Sequence, residues 1–428
     1  MSDRDRNAAA ARAGAAAGAD PAARTGPGRL VFEEARRRAG ALPALPTETV
    51  ELDAALGRVL ARDVAATTDL PPADLAAMDG WAVAGPAPWR VVSPCPEARS
   101  APARLEPGEA VVIVTGAPLP PGATAVVRAE AGREDAVGLR ADDPREGAPG
   151  RHVRPRGEEA RAGDRLLVAG RRLEPPALAL AALAGADAVE VRARPRVAVL
   201  VTGDELVDRG VPATGQVRDA LSAPLPSVIE ALGGRVTGVR RVRDDAEMLR
   251  AAIEAAAEGA DLLVTTGGTA LSRADHLPTV LAALGAEPIV DGVAVRPGGP
   301  TRLARLRTGA YLLALPGNPF AALGALLALG APALGALAGV APPEPLDLEV
   351  AQGDPGHPRA TTLRPARCEG GTANATGFDG PAMLRGLADA DVLLLVPPGG
   401  LAAGAHTDAL ALPWRRGAEP VSAPRAGR

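Results

Sequence analysis

Residues that could hold an anion follow directly after one apolar run, "DLLVTT". Gly267 and Gly268 would let backbone N–H groups approach a charged ligand without a Cβ in the way. Thr266 and Thr269 could add hydroxyl donors, and Asp275 lies seven positions after the second glycine. The turn suits a phosphate or a charged ring, although the same residues would also form an ordinary tight turn.

Two further loops of the same region carry groups of a similar kind. "LPGNP" precedes an apolar helix pattern whose start would add positive potential, and "RPGGP" offers an arginine for a phosphate or oxyanion. Taken alone, the first is typical of a strand-to-helix turn and the second of a surface charge. The residues predicted to bind ligand in these loops are Arg296, Pro297, Gly298, Pro316, Gly317 and Asn318.

Three carboxylates, Glu205, Asp244 and Asp275, lie in the same region and would repel an anion bound there. A hard cation between them, most simply Mg²⁺, would remove the conflict, so all three are predicted metal ligands and catalytic residues. Plainer roles stay open: Asp244 and Asp245 could cap a helix, and Asp204 could organise its own turn.

These motifs need a scaffold that brings them together, and residues 195–341 predict one. Runs such as "RVAVLVTG" are continuously apolar, as in parallel strands that are covered on both faces. They alternate with helix patterns such as "DDAEMLRAAIEAAAEGA", so the region predicts a doubly wound α/β domain. Ligands of such sheets bind outside the carboxyl ends of the strands, and the motifs are predicted to lie at that edge.

The rest of the chain predicts three more domains with polar ends. Residues 29–73 and 159–194 predict an interrupted first domain, and the Pro- and Gly-separated strands of 74–158 predict a β-rich domain inserted into it. Residues 342–415 predict a small all-β domain. Residues 1–28 predict a disordered leader, and residues 416–428 a polar tail.

One segment, "PFAALGALLALGAPALGALAGVA", is uncharged and long enough to cross a membrane. Its Ala and Gly content and the central Pro332 favour a buried helix, a turn and a second short helix instead.

Composition narrows the possible functions. The net charge of −4 leaves no basic excess for nucleic acid, and all 47 positive charges are arginine. Cys95 and Cys368 stand far apart and the four histidines are dispersed, which supports neither a disulfide framework nor a thiolate metal site. The N-terminus lacks the apolar core of a secretory signal, so a cytoplasmic location without a membrane partner is predicted.

Seven motifs occur in order along the chain. They are "DLPPADLAAMDGWAV", "VTGAPLPPGATAVV", "RPRGEEARAGD", "RPRVAVLVTGDELV", "TTGGTALSRAD", "RPGGP" and "LPGNP". With these motifs, the chain from about Val31 to Trp414 resembles the molybdopterin molybdenumtransferase family.

The resemblance implies an elongated homodimer with a C-terminal β-barrel and a cleft formed by the α/β domain of one subunit and the β-rich domain of the other. Asp79 would be a catalytic residue across that cleft from the three carboxylates. The further binding residues that it implies are Thr115, Glu159 and Asp219. The reaction implied is insertion of molybdate into molybdopterin, with Mg²⁺-dependent hydrolysis of adenylylated molybdopterin and release of AMP. The protein partners it suggests are the adenylyltransferase of the same pathway, molybdoenzymes and their chaperones.

Several positions depart from the family pattern, and most of them lose a neutral donor while the carboxylates remain. They are Leu75, Ala76, Ala220, Leu221, Ala270, Ser272, Gly299 and Pro381, and Glu159 stands in place of an aspartate. Two other functions therefore stay open. One is a non-catalytic paralogue that binds or carries the cofactor, and the other is a molybdopterin adenylyltransferase, a single-domain family in which "TTGGT" also has a counterpart.

Overall fold

The computed structural model describes residues 29–92, 104–267, 276–341 and 344–415. These residues fall into two compact units. One is Thr47–Arg192, and the other combines the described residues up to Pro46 with those from Ala193 onward. The helices are α1 Phe32–Ala39, α2 Pro175–Leu183, α3 Pro224–Ala231, α4 Ala246–Ala257, α5 Leu277–Ala283, α6 Pro319–Ala325, α7 Ala331–Leu337 and α8 Arg385–Asp389.

The unit Thr47–Arg192 contains twelve strands within its described residues. They are β1 Thr47–Glu51, β2 Val64–Ala65, β3 Leu75–Ala76, β4 Gly80–Val83, β5 Arg90–Val91, β6 Glu109–Ile113, β7 Ala125–Arg128, β8 Gly132–Asp135, β9 Gly138–Ala141, β10 Val153–Arg154, β11 Arg165–Leu167 and β12 Ala188–Arg192. The pairs β1–β12 and β2–β11 join its two ends around a small core with α2. The sheet β5-β6-β4-β7 lies in the intervening chain, which agrees with the predicted β-rich insertion.

The turn that carries Asp79 enters this four-stranded sheet at β4. Gly80 is the first residue of the strand and has a φ of 152°. A Cβ at Gly80 would collide with the carbonyl oxygen of Val127 on the neighbouring strand β7, so only glycine permits this close approach. The glycine of the sequence Met-Asp-Gly thus fixes the position of Asp79, directly before the first residue of β4.

The second unit contains fourteen strands within its described residues. They are β13 Arg196–Thr202, β14 Leu206–Val207, β15 Val217–Arg218, β16 Arg235–Val242, β17 Leu262–Thr266, β18 Glu287–Asp291, β19 Val295–Arg296, β20 Arg302–Arg305, β21 Tyr311–Leu315, β22 Leu346–Val350, β23 Thr361–Glu369, β24 Thr372–Ala375, β25 Val392–Val396 and β26 His406–Ala411. The main sheet has the order β16-β13-β17-β21-β20-β18. Its first four strands are parallel, as predicted, and β20 and β18 add an antiparallel hairpin at one edge.

Helices cover both faces of this sheet, and β13 shows why. Val199 on one face lies in the same apolar cluster as Ile229 of α3, whereas Leu200 on the other lies with Ile253 of α4. Successive side chains of a strand point to opposite faces, so a strand buried on both must be apolar throughout. The continuous run "VAVLV" therefore produces the doubly wound arrangement.

The apolar segment Pro319–Leu337 forms one continuous helical stretch, and the turn predicted at Pro332 is wrong. The segment Leu326–Gly330 between α6 and α7 is a π-helix, and Pro332 lies in the first turn of α7, where a missing N–H is tolerated. The stretch is long and apolar enough to cross a membrane by length and composition, but 83% of it is buried inside the protein. It has the burial of a core helix, as predicted.

The C-terminal strands close into a five-stranded barrel. β23, β24, β22, β26 and β25 form a ring that the pairing of β25 with β23 completes. Its Leu363 and Leu393 belong to the same apolar cluster as Phe320 of α6 and Val264 of β17. The barrel and the main sheet thus share one continuous core through the helical stretch.

The predicted fold class, a multidomain combination of α/β and β with a doubly wound sheet and a C-terminal β-barrel, is confirmed. The helix α1 packs in the core of the second unit through Phe32, Ala35 and Ala39. The sequence grouped this helix with residues 159–194 instead. The individual domain boundaries stay a prediction.

Candidate active site

The carboxyl ends of β13, β17 and β21 meet in a glycine-lined edge. Gly267 has a φ of 84°, and a Cβ on it would lie 2.6 Å from the hydroxyl oxygen of Thr202. A Cβ on Gly317 would lie 3.4 Å from the Cα of Gly267. The hydroxyl of Thr202 donates to the carbonyl of Thr266 at 2.8 Å, and the Gly267 amide donates to the carbonyl of Leu315 at 3.1 Å. The predicted meeting of these loops at the strand ends is therefore present in the fold.

The "RPGGP" loop lies beside this edge. It connects β19 to β20, and Arg302 at the start of β20 pairs with Ala314 near the carboxyl end of β21. A Cβ on Gly298 would lie 3.7 Å from the carbonyl oxygen of Ala321, in the helix that "LPGNP" precedes. The two loops are thus brought together by α6.

Acidic residues follow β13 and β16 at the same edge. Glu205 is exposed, and its carboxylate lies 2.9 Å from where a Cβ on Gly203 would be, so it folds back over the end of β13. The carboxylate of Asp204 accepts from the Asp244 amide at 3.4 Å and lies 3.6 Å from Arg243. Asp204 therefore joins the two loops, while the side chain of Asp244 is exposed.

Asp245, not Asp244, caps the following helix. Its carboxylate accepts from the Met248 amide at 2.9 Å. The helix-capping role that the sequence left open for Asp244 and Asp245 is therefore filled by Asp245 alone.

In the other unit, Asp79 and Thr115 form a close pair. The carboxylate of Asp79 accepts from the amide of Thr115 at 2.6 Å and from its hydroxyl at 2.8 Å. The bond from the Thr115 amide, and then that from its hydroxyl, lower the pKa of Asp79 below its ordinary value. The exposed carboxylate is therefore ionised and held in one orientation.

Two family comparisons match most of the chain. Residues 30–185 match the MoeA N-terminal region (domain I and II), and residues 198–336 match a probable molybdopterin binding domain. The chain is 35% identical over 316 residues to molybdopterin molybdenumtransferase 2 of Mycobacterium tuberculosis (strain CDC 1551 / Oshkosh), covering 69% of this chain and 76% of that protein. The chain belongs to the molybdopterin molybdenumtransferase family.

Two further relatives of this family agree. The molybdopterin molybdenumtransferase of Synechococcus elongatus (strain ATCC 33912 / PCC 7942 / FACHB-805) is 36% identical over 292 residues, which cover 64% of this chain and 72% of that protein. The crystal structure of the molybdopterin biosynthesis moea protein from Pyrococcus horikosii superposes with a TM-score of 0.75 at 29% identity, covering 90% of this chain and 99% of that one. The resemblance and the fold class predicted from the sequence are thereby confirmed.

Within this family member, the structure brings only part of the predicted site together. The described members at the sheet edge are Glu205, Asp244, Thr266, Gly267, Pro316, Gly317 and Asn318, with Arg296, Pro297 and Gly298 in the adjoining loop. Arg296 is in β19, which pairs with β23 of the barrel rather than with the main sheet. Gly268, Thr269 and Asp275, and the departing positions Ala270 and Ser272, lie outside the described residues.

The side chain of Asp219 is hydrogen-bonded within its own turn, which the family resemblance did not suggest. Its carboxylate accepts from the amides of Leu221 and Ser222 at 2.9 and 3.0 Å and from the Ser222 hydroxyl. Burial works to raise its pKa, but these hydrogen bonds outweigh it and the net pKa is lowered. Asp219 thus organises the turn before α3, and its predicted ligand contact stays a prediction.

Glu159 lies in the same unit as Asp79 and is exposed. Its backbone amide donates to the carbonyl of Leu70 at 2.9 Å. No hydrogen bond to its side chain occurs within the described chain, so the carboxylate is placed by its backbone alone.

Two departures from the family pattern have partners in the structure. A Cβ on Gly299 would lie 2.8 Å from a guanidinium nitrogen of Arg29, so the arginine occupies the space that a side chain at 299 would need. The carbonyl of Pro381 accepts from the Ala321 amide at 3.0 Å in the first turn of α6. Sequence reasoning missed Arg29, because nothing near it in the chain indicates its neighbour.

Thr202 is a second residue that sequence reasoning missed. The signal was present, because "VTGDE" after β13 repeats the Thr-Gly order of "TTGGT" after β17. In each case the threonine ends a strand and the glycine turns the chain at the edge.

Two of the three predicted metal ligands, Glu205 and Asp244, lie within the described residues. Among the residues that the structure describes, no group of three or more His, Cys, Asp or Glu side chains is close enough to hold a metal ion. Asp275, the third predicted ligand, lies outside them. The other two predicted ligands, Glu205 and Asp244, are solvent-exposed carboxylates, and this donor type suits Mg²⁺, which keeps several of its waters when bound.

Proposed function

We propose that this protein inserts molybdate into molybdopterin, hydrolysing adenylylated molybdopterin and releasing AMP. The observation that carries the proposal is the convergence of Thr202, Gly267 and Gly317 on one sheet edge in a chain of the molybdopterin molybdenumtransferase family. The proposal includes a homodimer, a requirement for Mg²⁺ and a cytoplasmic location.

The predicted site residues have separate roles in the proposed reaction. The turn after Gly267 and the start of α6 would bind anionic groups of the ligand through backbone N–H donors. Arg296 would hold a phosphate or molybdate oxygen. Asp79, kept ionised by Thr115, would orient the attacking water or accept its proton.

Mg²⁺ held by Glu205, Asp244 and Asp275 would, when bound, polarise the pyrophosphate and stabilise charge on its oxygens. The protein itself needs no side-chain nucleophile, because water or a molybdate oxygen can attack. The chain's contribution is to bind, orient and hold a proton at the Asp79 carboxylate.

The proposal is tested by incubating the purified protein with adenylylated molybdopterin, Mg²⁺ and molybdate. Release of AMP with formation of active cofactor supports it. Binding without turnover would support the non-catalytic carrier, and release of pyrophosphate from ATP and free molybdopterin would support the adenylyltransferase.

Asp79→Asn should lower turnover, and Asp135→Asn is its matched control. Asp135 is also an exposed carboxylate that accepts backbone amides, from Val137 at 2.8 Å and Gly138 at 3.2 Å, but it lies in the β8–β9 hairpin. Equal activity of the two variants would contradict the assignment of Asp79. Light scattering of the same preparations measures whether the chain is dimeric.

A further inference from the structure

A buried carboxylate that the proposed reaction does not use lies beside the Asp79 turn. Glu146, in the short 3₁₀ segment Pro144–Gly147, is only 4% exposed. Buried carboxylates are costly unless they are paired and hydrogen-bonded, so its partners show what it does.

Glu146 joins two side chains that are distant in sequence. Its carboxylate accepts two hydrogen bonds from the guanidinium of Arg128, at 2.9 and 3.2 Å, and lies 3.1 Å from Nε2 of His152. The bonds from Arg128 lower its pKa despite the opposing effect of burial, so the carboxylate is ionised. A bidentate arginine–carboxylate pair is both strong and orienting.

Each of these two partners belongs to a backbone stretch that holds the Asp79 turn. On one side, Arg128 pairs with Gly80 across β7 and β4, and the amide of Ala129 donates to the carbonyl of Asp79 at 2.9 Å. On the other, the carbonyl of His152 accepts from the amide of Ala77 at 2.9 Å.

His152 also has a backbone φ of 55°, a region that residues other than glycine seldom adopt. One carboxylate therefore connects the two supports of the turn.

We propose that Glu146 is a positioning residue that acts through Asp79. By tying Arg128 to His152 it fixes the backbone before and after the turn, and so the direction in which the Asp79 carboxylate projects toward Thr115. This inference rests on the proposed function, in which Asp79 acts in the reaction. A misplacement of about 1 Å can cost about 100-fold in rate, so a residue that touches no ligand can control turnover.

The test compares Glu146→Gln with Glu130→Gln. Both glutamates contact Arg128, but Glu130 does so at 3.0 Å from the surface, with its side chain 61% exposed. Within the described residues it is Glu146, and not Glu130, that pairs with His152. Glu146→Gln should lower kcat about 10- to 100-fold with little change in KM, whereas Glu130→Gln should leave kcat within about two-fold.

Two further measurements separate positioning from a general loss of structure. In an Asp79→Asn background, Glu146→Gln should add no further loss of kcat, because the group through which it acts has been removed. Hydrogen exchange of the Thr115 amide, which is bonded to the Asp79 carboxylate, should quicken at least about 10-fold in Glu146→Gln and not in Glu130→Gln.

Unchanged exchange at Thr115, or an equal loss of kcat in both backgrounds, would overturn the inference. If Glu146→Gln does not fold, Glu146→Asp, which keeps the charge on a shorter side chain, takes its place in both measurements. The exchange measurement needs no turnover. An inactive wild-type protein would refute the proposed function, whereas hydrogen exchange at the Thr115 amide would still decide whether Glu146 positions Asp79.

Discussion

Replacing Gly267 by alanine should destabilise the sheet edge by about 2–3 kcal/mol. The left-handed backbone at Gly267, with φ of 84°, costs an alanine about 1–2 kcal/mol. The new methyl would also lie 2.6 Å from the hydroxyl and 3.0 Å from the carbonyl oxygen of Thr202. Moving that hydroxyl away from the carbonyl of Thr266 would lose a hydrogen bond of about 1 kcal/mol.

Urea unfolding followed by circular dichroism measures this change, with Gly238→Ala as the matched control. Gly238 is in β16, has nothing within 4 Å of a Cβ position and has no positive φ, so its replacement should leave the free energy of unfolding unchanged or raise it by up to about 1 kcal/mol.

In a Thr202→Ala background, Gly267→Ala should cost about 1 kcal/mol less, because the hydroxyl that it displaces is gone. A Gly267→Ala protein as stable as the wild type, or as stable as Gly238→Ala, would refute this account of the edge.

Three more predictions concern carboxylates. Hydrogen bonds from Thr115 lower the pKa of Asp79 in the folded state. The stability that they supply is therefore complete above the ordinary aspartate pKa of about 4 and is lost as the pH falls through the lowered pKa. In Asp79→Asn, a curve of unfolding free energy against pH should lack this loss at acidic pH. Asp245→Ala should lower the free energy of unfolding in urea by about 1 kcal/mol and leave the Mg²⁺ dependence of turnover unchanged. Asp244→Ala should leave the free energy of unfolding unchanged and alter the Mg²⁺ dependence. The same response from both variants would contradict the assignment of Asp245 as helix cap and Asp244 as metal ligand. Asp219→Ala should destabilise by about 1–2 kcal/mol even without ligand, and a change seen only on ligand binding would instead support a direct contact.

The elements that the sequence predicts well are those whose burial is decided locally. β13 is apolar on both faces, and α4 begins at the carboxylate of Asp245 three residues before the amide that it caps. Both signals lie within one element, so a pattern in the chain is enough to locate them.

The elements that it does not predict depend on distant partners. The antiparallel hairpin of β18 and β20 is defined by its pairing with β21. Pro332 stays helical because it lies in the first turn of α7, directly after a π-helical segment. Glu146 reads as a surface residue in "DDPREGAPG", and only the fold brings Arg128 and His152 to it.

For the candidate site, motif order along the chain predicted the meeting of the glycine loops at the sheet edge. It did not distinguish side chains that face a ligand from those that build the turn. Asp219 accepts hydrogen bonds from its own turn, and Thr202 was overlooked although its hydroxyl donates to the carbonyl of Thr266. Such distinctions depend on where each polar atom finds its partner, and residue type alone does not determine that.

The helical stretch Pro319–Leu337 packs against both the main sheet and the barrel of the second unit, so the two parts depend on each other for burial. On Gly324 a Cβ would lie 2.9 Å from a methyl of Leu363 in the barrel, while a Cβ on Gly330 would lie 3.1 Å from a methyl of Leu313 in the main sheet. Removing either the main sheet or the barrel would expose an apolar surface on the part that remains. Fragments that end near residue 341 should therefore aggregate on expression, and transplanting the main sheet with its helices into another protein would require the barrel as well.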